Sequence, residues 1–394
     1  MKSTARFAGL LTGLACSVIF FTPNNLLAQT FITPNTCPAI GEWNQAQYTC
    51  TLTKDIEGPI IFQLQDITLD GAGYTIATDT GWNDAIVWME GLTATLQNVH
   101  LVGDTRHGIR LTDDASLNRI ENVVISGPLI GISNDGDDNH FSNITISNAP
   151  GRSDTEIGIS VFDASDTVFE SVGIERVERA VVLDFSPNTW VSDSYISECE
   201  TGVTIGDSDS SRVTNSILSA CDTGLELENS ERILIEDNYL GGSPVGSGER
   251  TGISLIESET LADSILQGNL ITGWDIGIDD QSFYGGGGGD PTPSFSWLER
   301  QLKDWERVLA AAFTTVAYAQ ASGPLVISQN DFVANTEPHA ITDAAFDTIT
   351  FGVSTGNYWD VYDDPGEGCL DGDSNSVCDE PYERPPSVDD DYLI

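Results

Sequence analysis

Carboxylates cluster in two places in this chain, and the two patterns suggest different chemistries. In the first, Asp113 and Asp114 are followed one short repeat later by Asp135, Asp137, Asp138 and His140, with His107 and Arg110 near by. Paired carboxylates can act as acid and base on a glycosidic bond, and an arginine beside them can neutralise a charged sugar. The patch is therefore a candidate sugar-binding groove. Asp beside Gly, as in Asn134-Asp135-Gly136, is equally the composition of a tight turn. The second pattern is the stretch Cys369 to Tyr382, where Asp371, Asp373 and Asn375 put an oxygen at alternate positions. Val377 adds a backbone carbonyl and Asp379 a further carboxylate. Alternating oxygens are how a short loop wraps Ca2+, which takes about 6–8 of them. Ser376 stands where such a loop usually turns on Gly, and Tyr382 replaces the acid expected at the twelfth place. Cys369 and Cys378 bracket the loop, so a disulfide there would supply rigidity.

The element that must position the first patch is a repeat. Small residue, aliphatic, any residue, aliphatic recurs with first residues at 85, 108, 131, 158, 180, 202, 224, 252 and 277, spaced 22 to 28 apart. An Asn before aliphatic alternation runs out of phase with it, at Asn98, Asn122, Asn143, Asn215, Asn238 and Asn269. A period in the low twenties with two or three short strands means a solenoid. Alternation within each strand buries one face and wets the other. Stacked windings place parallel strands about 4.8 Å apart, so that Asn at equivalent turns can ladder through amide hydrogen bonds. A leucine-rich repeat is the competing architecture. Several alternating strands per winding and the lack of a helical half disfavour it. The outward row of the motif is Arg110, Ser133, Ser160, Val182, Thr204, Glu226, Ser254 and Asp279, mostly small and neutral.

The formal net charge is -45, spread along the chain, which repels nucleic acid and anionic lipid. Lys2 and Arg6, the apolar run from Phe7 to Phe21 and Ala28 read as an export signal. No later segment has the ~20 apolar residues of a membrane span. Six cysteines follow the signal. Nearness suggests the pairs Cys37–Cys50, Cys199–Cys221 and Cys369–Cys378, as befits an exported chain. Cys199 and Cys221 lie one period apart, so they are expected in adjacent windings, within disulfide reach or as a pair of stacked thiols.

The entry segment from Lys54 to Ile61 with Ile67 to Ile76, the windings from about 85 to 281, and the exit motif Asn357-Tyr358-Trp359 together resemble the right-handed parallel β-helix, or pectin-lyase-like, superfamily. Within it the chain is similar to NosD-like periplasmic and surface proteins, and the Asp-rich run before Pro381-Tyr382 matches their C-terminal closure. The resemblance implies an all-β, single-stranded right-handed parallel β-helix of about ten coils. It hosts lyases, hydrolases, epimerases and binding scaffolds, and so leaves activity open. Its link to copper-enzyme maturation finds no zinc-like ligand spacing among His100, His107, His140 and His339.

After five glycines at 285–289, the segment from Ser296 has a capping box, and Leu298, Leu302, Trp305, Leu309, Ala312 and Val316 share one helical stripe. This is an amphipathic helix inserted between windings, expected to pack on the solenoid. The divisions are then 1–28 signal peptide, 29–83 N-terminal cap and entry coil, 84–284 coils, 285–322 hinge and helical insertion, 323–356 final coils, and 357–394 C-terminal cap. The expected function is a carbohydrate-associated binding or surface scaffold without catalysis, monomeric, exported and carrying a structural Ca2+. The alternative is a polysaccharide hydrolase, lyase or epimerase using the outer groove.

Overall fold

The computed structural model describes residues 29–78, 84–147, 155–242, 250–256, 261–280, 325–328, 330–333, 340–341, 349–351 and 358–359. The signal, the helical insertion, His339 and the Asp-rich loop with Cys369 and Cys378 lie outside them. Successive windings stack in parallel as a right-handed β-helix. One sheet, here the front sheet, is formed by strands such as Ala85–Met89, His107–Leu111, Ile130–Asn134, Ile157–Phe162 and Thr223–Glu228. Their register runs Ile61, Trp88, Arg110, Ser133, Ser160, Val182, Thr204, Glu226, Ser254, Asp279, which from Arg110 onward is the outward row read from the repeat. Between these positions Ile109, Leu111, Ile132, Ile159, Val181, Val203 and Leu225 point inward and are fully or almost fully buried. Apolar surface removed from water in every winding, at roughly 25 cal/mol per Å2, is what drives the coil closed.

The register corrects the first winding. Aligning small residues sets Ala85 beside Gly108, but the strands pair Val87 with Ile109 and Trp88 with Arg110. A slip of one residue exchanges the two faces of a strand. Trp88 is therefore the outward neighbour of Arg110, and Val87 is core.

The corners explain the asparagines. Asn98, Asn122, Asn143 and Asn215 hold φ of 54°, 55°, 53° and 51°, the left-handed conformation that Asn tolerates better than most residues. Asn122 Nδ2 donates to Asn98 Oδ1 at 3.1 Å across one winding. A second corner is buried. There Ser194 N donates to Ser216 Oγ at 3.1 Å, and Ser216 N to Asn238 Oδ1 at 2.9 Å. Asn238 Nδ2 donates to Asn269 Oδ1 at 3.0 Å, and Asn269 Nδ2 to Asn330 Oδ1 at 2.9 Å. Serine fills the analogous corner at Ser186, Ser208 and Ser230, with Ser186 N donating to Ser208 Oγ and Ser208 N to Ser230 Oγ, both at 2.9 Å. These ladders satisfy backbone groups that the tight corners would otherwise strand.

Cys199 and Cys221 form a disulfide between adjacent windings, 22 residues and 4.4 Å (Cα–Cα) apart. At the N-terminal end, the short helix Cys37–Ile40 and the antiparallel hairpin Gly41–Asn44/Thr49–Leu52 lie against the first winding. The Cys37–Cys50 disulfide joins them, and Trp43 packs on the core with Tyr48 edge-on at 6.3 Å. Among the described residues no helix is long and apolar enough to cross a membrane.

Candidate functional site

The front sheet brings part of the carboxylate patch together and sends the rest elsewhere. Arg110 stands in the middle of its strand, with its guanidinium carbon 5.2 Å from the centre of the Trp88 ring. Strand register alone enforces this contact, because the two residues are directly opposite. His107, three residues earlier on the same strand, is 4% exposed. Asp135 follows the next strand, and its Oδ2 lies 4.0 Å from Arg110 Nη2, an ion pair beyond hydrogen-bonding distance.

A bracing network aims Asp135. Asn134 occupies an inward position with no exposure, and its Nδ2 donates to Gly136 O at 3.0 Å and Thr167 Oγ1 at 3.1 Å. Asn139 Nδ2 donates to Asn134 Oδ1 at 2.8 Å and to Ala115 O at 2.8 Å. Gly136 passes so close to the Ala115 carbonyl that a Cβ would collide with it. The corner between 134 and 139 is thus fixed from inside, and it separates the acids. Asp137 Oδ1 accepts from Ser165 N at 2.6 Å and Ser165 Oγ at 3.0 Å, and Asp138 sits at φ 55°. Both are corner residues. His140 opens the strand His140–Ser147 of the next sheet, with Nε2 3.6 Å from Glu170. The structure therefore joins Arg110, Asp113 and Asp135, and places Asp137, Asp138 and His140 beyond the corner.

Electrostatics mark the same spot. Burial, then the charges of Arg110 and Arg106, hold the His107 imidazole down at about 4, so it is neutral near pH 7. Burial raises the Asp135 carboxyl; Arg110 opposes this, and Asp113 and Asp163 reinforce it. Three buried polar atoms, Trp88 Nε1, His107 Nδ1 and Arg110 Nε, have no hydrogen-bond partner among the described residues. Buried polar atoms are usually paired, and each orphan costs about 1–3 kcal/mol. Buried as they are, these atoms are beyond the reach of a ligand; what the front sheet offers at its surface is the half-buried Arg110 guanidinium with the Asp135 carboxyl beside it.

Trp88 was not legible from the small-residue motif; counting back 22 residues from Arg110 finds it. Glu226 is a second buried acid farther along the outward row. Burial raises its carboxyl, as do Glu228 and Glu200, while Arg179 lowers it. The row showed that Glu226 faces outward; Glu228 shares its strand, while Arg179 and Glu200 come from earlier windings.

Fold and site together define a right-handed parallel β-helix with polar side chains on its outer face. The chain belongs to the NosD family, whose model, described as periplasmic copper-binding protein (NosD), matches residues 95–364. No curated protein matches the chain. Among solved structures, the chain is similar to the periplasmic alginate epimerase AlgG at 9% identity and TM-score 0.44, covering 80% of this chain and 78% of that one. It is also similar to the A-module of the Azotobacter vinelandii mannuronan C-5 epimerase AlgE6, at 11% identity and TM-score 0.45, covering 82% and 91%. A third is tailspike protein 2 of Escherichia coli O157:H7 bacteriophage CAB120, at 10% identity and TM-score 0.41, covering 52% of this chain but only 35% of that one. No residue role passes from these structures to this chain.

The family description implies copper, and the described residues do not fit it. They contain no group of three or more His, Cys, Asp or Glu side chains placed to hold a metal ion. Cys37, Cys50, Cys199 and Cys221 are spent in disulfides. His107 is set beside Arg110 and Arg106, whose charges repel a cation. The proposed Ca2+ ligands Asp371, Asp373, Asn375, Val377 and Asp379 lie outside the described residues.

Proposed function

We propose that this is an exported β-helix scaffold that binds a carbohydrate on its front sheet, at Trp88, Arg110 and Asp135, without transforming it. The observation that carries the reading is the half-buried Arg110 guanidinium stacked on the Trp88 ring, with the Asp135 carboxyl 4.0 Å from it. A polyhydroxylated ring offers acceptors to the guanidinium and donors to the carboxylate, and its apolar faces suit an aromatic wall. Ser133 and Ser160 continue the row as a floor of small side chains. Export agrees with the two disulfides and with a family described as periplasmic.

The test is a glycan array probed with soluble protein, followed by titration of the hits against Trp88→Ala and Arg110→Gln. Binding by the parent protein and loss of at least tenfold in both variants is the expected result. An array with no hits, or variants that bind as the parent does, refutes it. A second reading, catalysis, is favoured by the raised carboxyl of Asp135 beside Arg110, since a protonated acid is what glycosidic cleavage requires. Product analysis on the bound glycan separates the two. Turnover that disappears in Asp135→Ala, with the fold intact, establishes the enzyme and sinks the scaffold.

A further inference from the structure

The helical insertion enters the solenoid at a place the strands define. In earlier windings a short corner, 207–211 or 229–233, leads from the front sheet to a second sheet. The same corner, between Ile276–Asp280 and Leu325–Ser328, holds residues 281–324. Two outer faces therefore flank the insertion. On the front sheet the nearest outward positions are Thr204, Glu226, Ser254 and Asp279, all polar. On the second sheet the outward row begins equally polar, with Thr68, Thr95, Arg119 and His140 in register. From Val168 it turns apolar: Trp190, Leu234, Ile265 and Val326 follow, interrupted by Arg212. The core side of these strands is filled by Val191, Val213, Ile235 and Leu266, so the outward row is surplus to the interior. Trp190 and Ile265 are 42% and 37% exposed. Exposed apolar rows of this kind mark a surface meant to be covered.

We infer that the occupant is the chain's own insertion: its apolar stripe from Leu298 to Val316 seats along the second sheet's outer row, lying across the windings. Position supports this first. The insertion ends at Leu325, and the next residue, Val326, is itself a member of the row, paired with Ile265. Length agrees. From Val168 to Val326 the row climbs five strand spacings, about 24 Å. A helix from Leu298 to Val316 is about 27 Å long. Composition agrees too. In a chain with a net charge of -45, residues 308–324 contain no Asp, Glu, Lys or Arg. Arg212 has Glu299, Asp304 and Glu306 of the insertion as candidate partners. A third sheet carries another apolar row, Tyr195, Ile217, Tyr239 and Leu270. That row lies past the exposed corner residues Asp193, Asn215 and Asp237, and it continues to Asp331, so it suits the insertion less well.

The experiment is trypsin digestion of the full folded chain, followed by mass spectrometry at the bonds after Arg300, Lys303 and Arg307. A docked stripe must leave the sheet before it is cut, so the rate reports docking. The double variant Leu234→Glu with Ile265→Glu should be cut at these bonds at least tenfold faster than the parent. Tyr195→Glu with Tyr239→Glu, the equivalent change on the third sheet, should be cut at the parent's rate. Equal rates in the parent and the Leu234/Ile265 variant overturn the inference. So does equal acceleration by both pairs, which would report a weakened solenoid. A second measurement does not depend on the charged variants folding. A benzophenone amino acid in place of Ile265, irradiated, should crosslink to residues 296–318 of the same chain. A crosslinked product of doubled mass would make the row a contact between two copies of this chain and overturn the inference, as would the absence of any link to the insertion.

Discussion

His107 offers a measurement that depends on burial at the site and needs no ligand. Its imidazole titrates at about 4 in the folded chain, against 6.5 when exposed. Folding therefore expels the proton, and the difference corresponds to about 3 kcal/mol at 1.36 kcal/mol per tenfold change in proton affinity. The sign follows from which state takes the proton first. Above pH 6.5 both states are neutral and the contribution to stability is intact. As pH falls from 6.5 toward 4 only the unfolded chain is protonated, so stability is lost through that window and levels off below it. Asp135 and Glu226 work in the opposite direction, since burial raises both. Comparing the parent with His107→Gln cancels them. Urea denaturation of both proteins from pH 7.5 to 4.5 should show the parent losing roughly 2–3 kcal/mol more than the variant. A constant difference across that range would mean a solvated His107, and the account of a buried imidazole beneath Arg110 and Arg106 charges would fall with it.

Other expectations follow from the same contacts. Replacing Cys199 and Cys221 by Ser opens a 22-residue loop and should cost about 3 kcal/mol in denaturant titrations run without reductant, so that the Cys37–Cys50 bridge stays closed; an unchanged midpoint would refute it. Asn269→Ala removes bonds to Asn238, Asn330 and Ile235 O in a buried corner. It should destabilise by ~3 kcal/mol, and a melting temperature unchanged from the parent's would show that the ladder is not needed. Glu226→Gln should stabilise the fold at pH 7, because the raised carboxyl opposes ionisation there, and the gain should vanish as pH drops below 4.5. If Asp371, Asp373, Asn375, Val377 and Asp379 bind Ca2+ as their alternation suggests, EGTA lowers the melting temperature and Asp371→Ala abolishes the response. An identical melting curve with and without calcium rejects that loop.

The repeat made the fold legible because each winding solves the same packing problem with the same residue types. Ile109, Ile132, Ile159, Val181, Val203 and Leu225 align without any structure. The outward row followed from them by alternation. Trp88 escaped because Ala85 imitates the small residue of the motif, and one residue of slip turns a core side chain into a surface one. The grouping of Asp137, Asp138 and His140 with Asp135 came from nearness in sequence. The corner braced by Asn134 and Asn139 divides them, and nothing in the order of residues reveals where a chain bends. The orphaned atoms were invisible for a different reason: the absence of a partner belongs to three-dimensional surroundings. The asparagines were read as one ladder and proved to be two corners, one left-handed and partly exposed, the other buried.

The exact 22-residue pairing between Ile159 and Val181, and again between Val181 and Val203, makes length an adjustable quantity in this molecule. Excising 159–180 would join Gly158 to Val181 and leave every remaining strand facing the partner type it had before. Arg110 and Glu226 would simply move one storey nearer, by about 4.8 Å. Evolution or a protein engineer can therefore tune the separation of two stations on this surface in whole storeys, like floors taken out of a tower, while a cut that leaves a strand one residue out of register turns its interior outward.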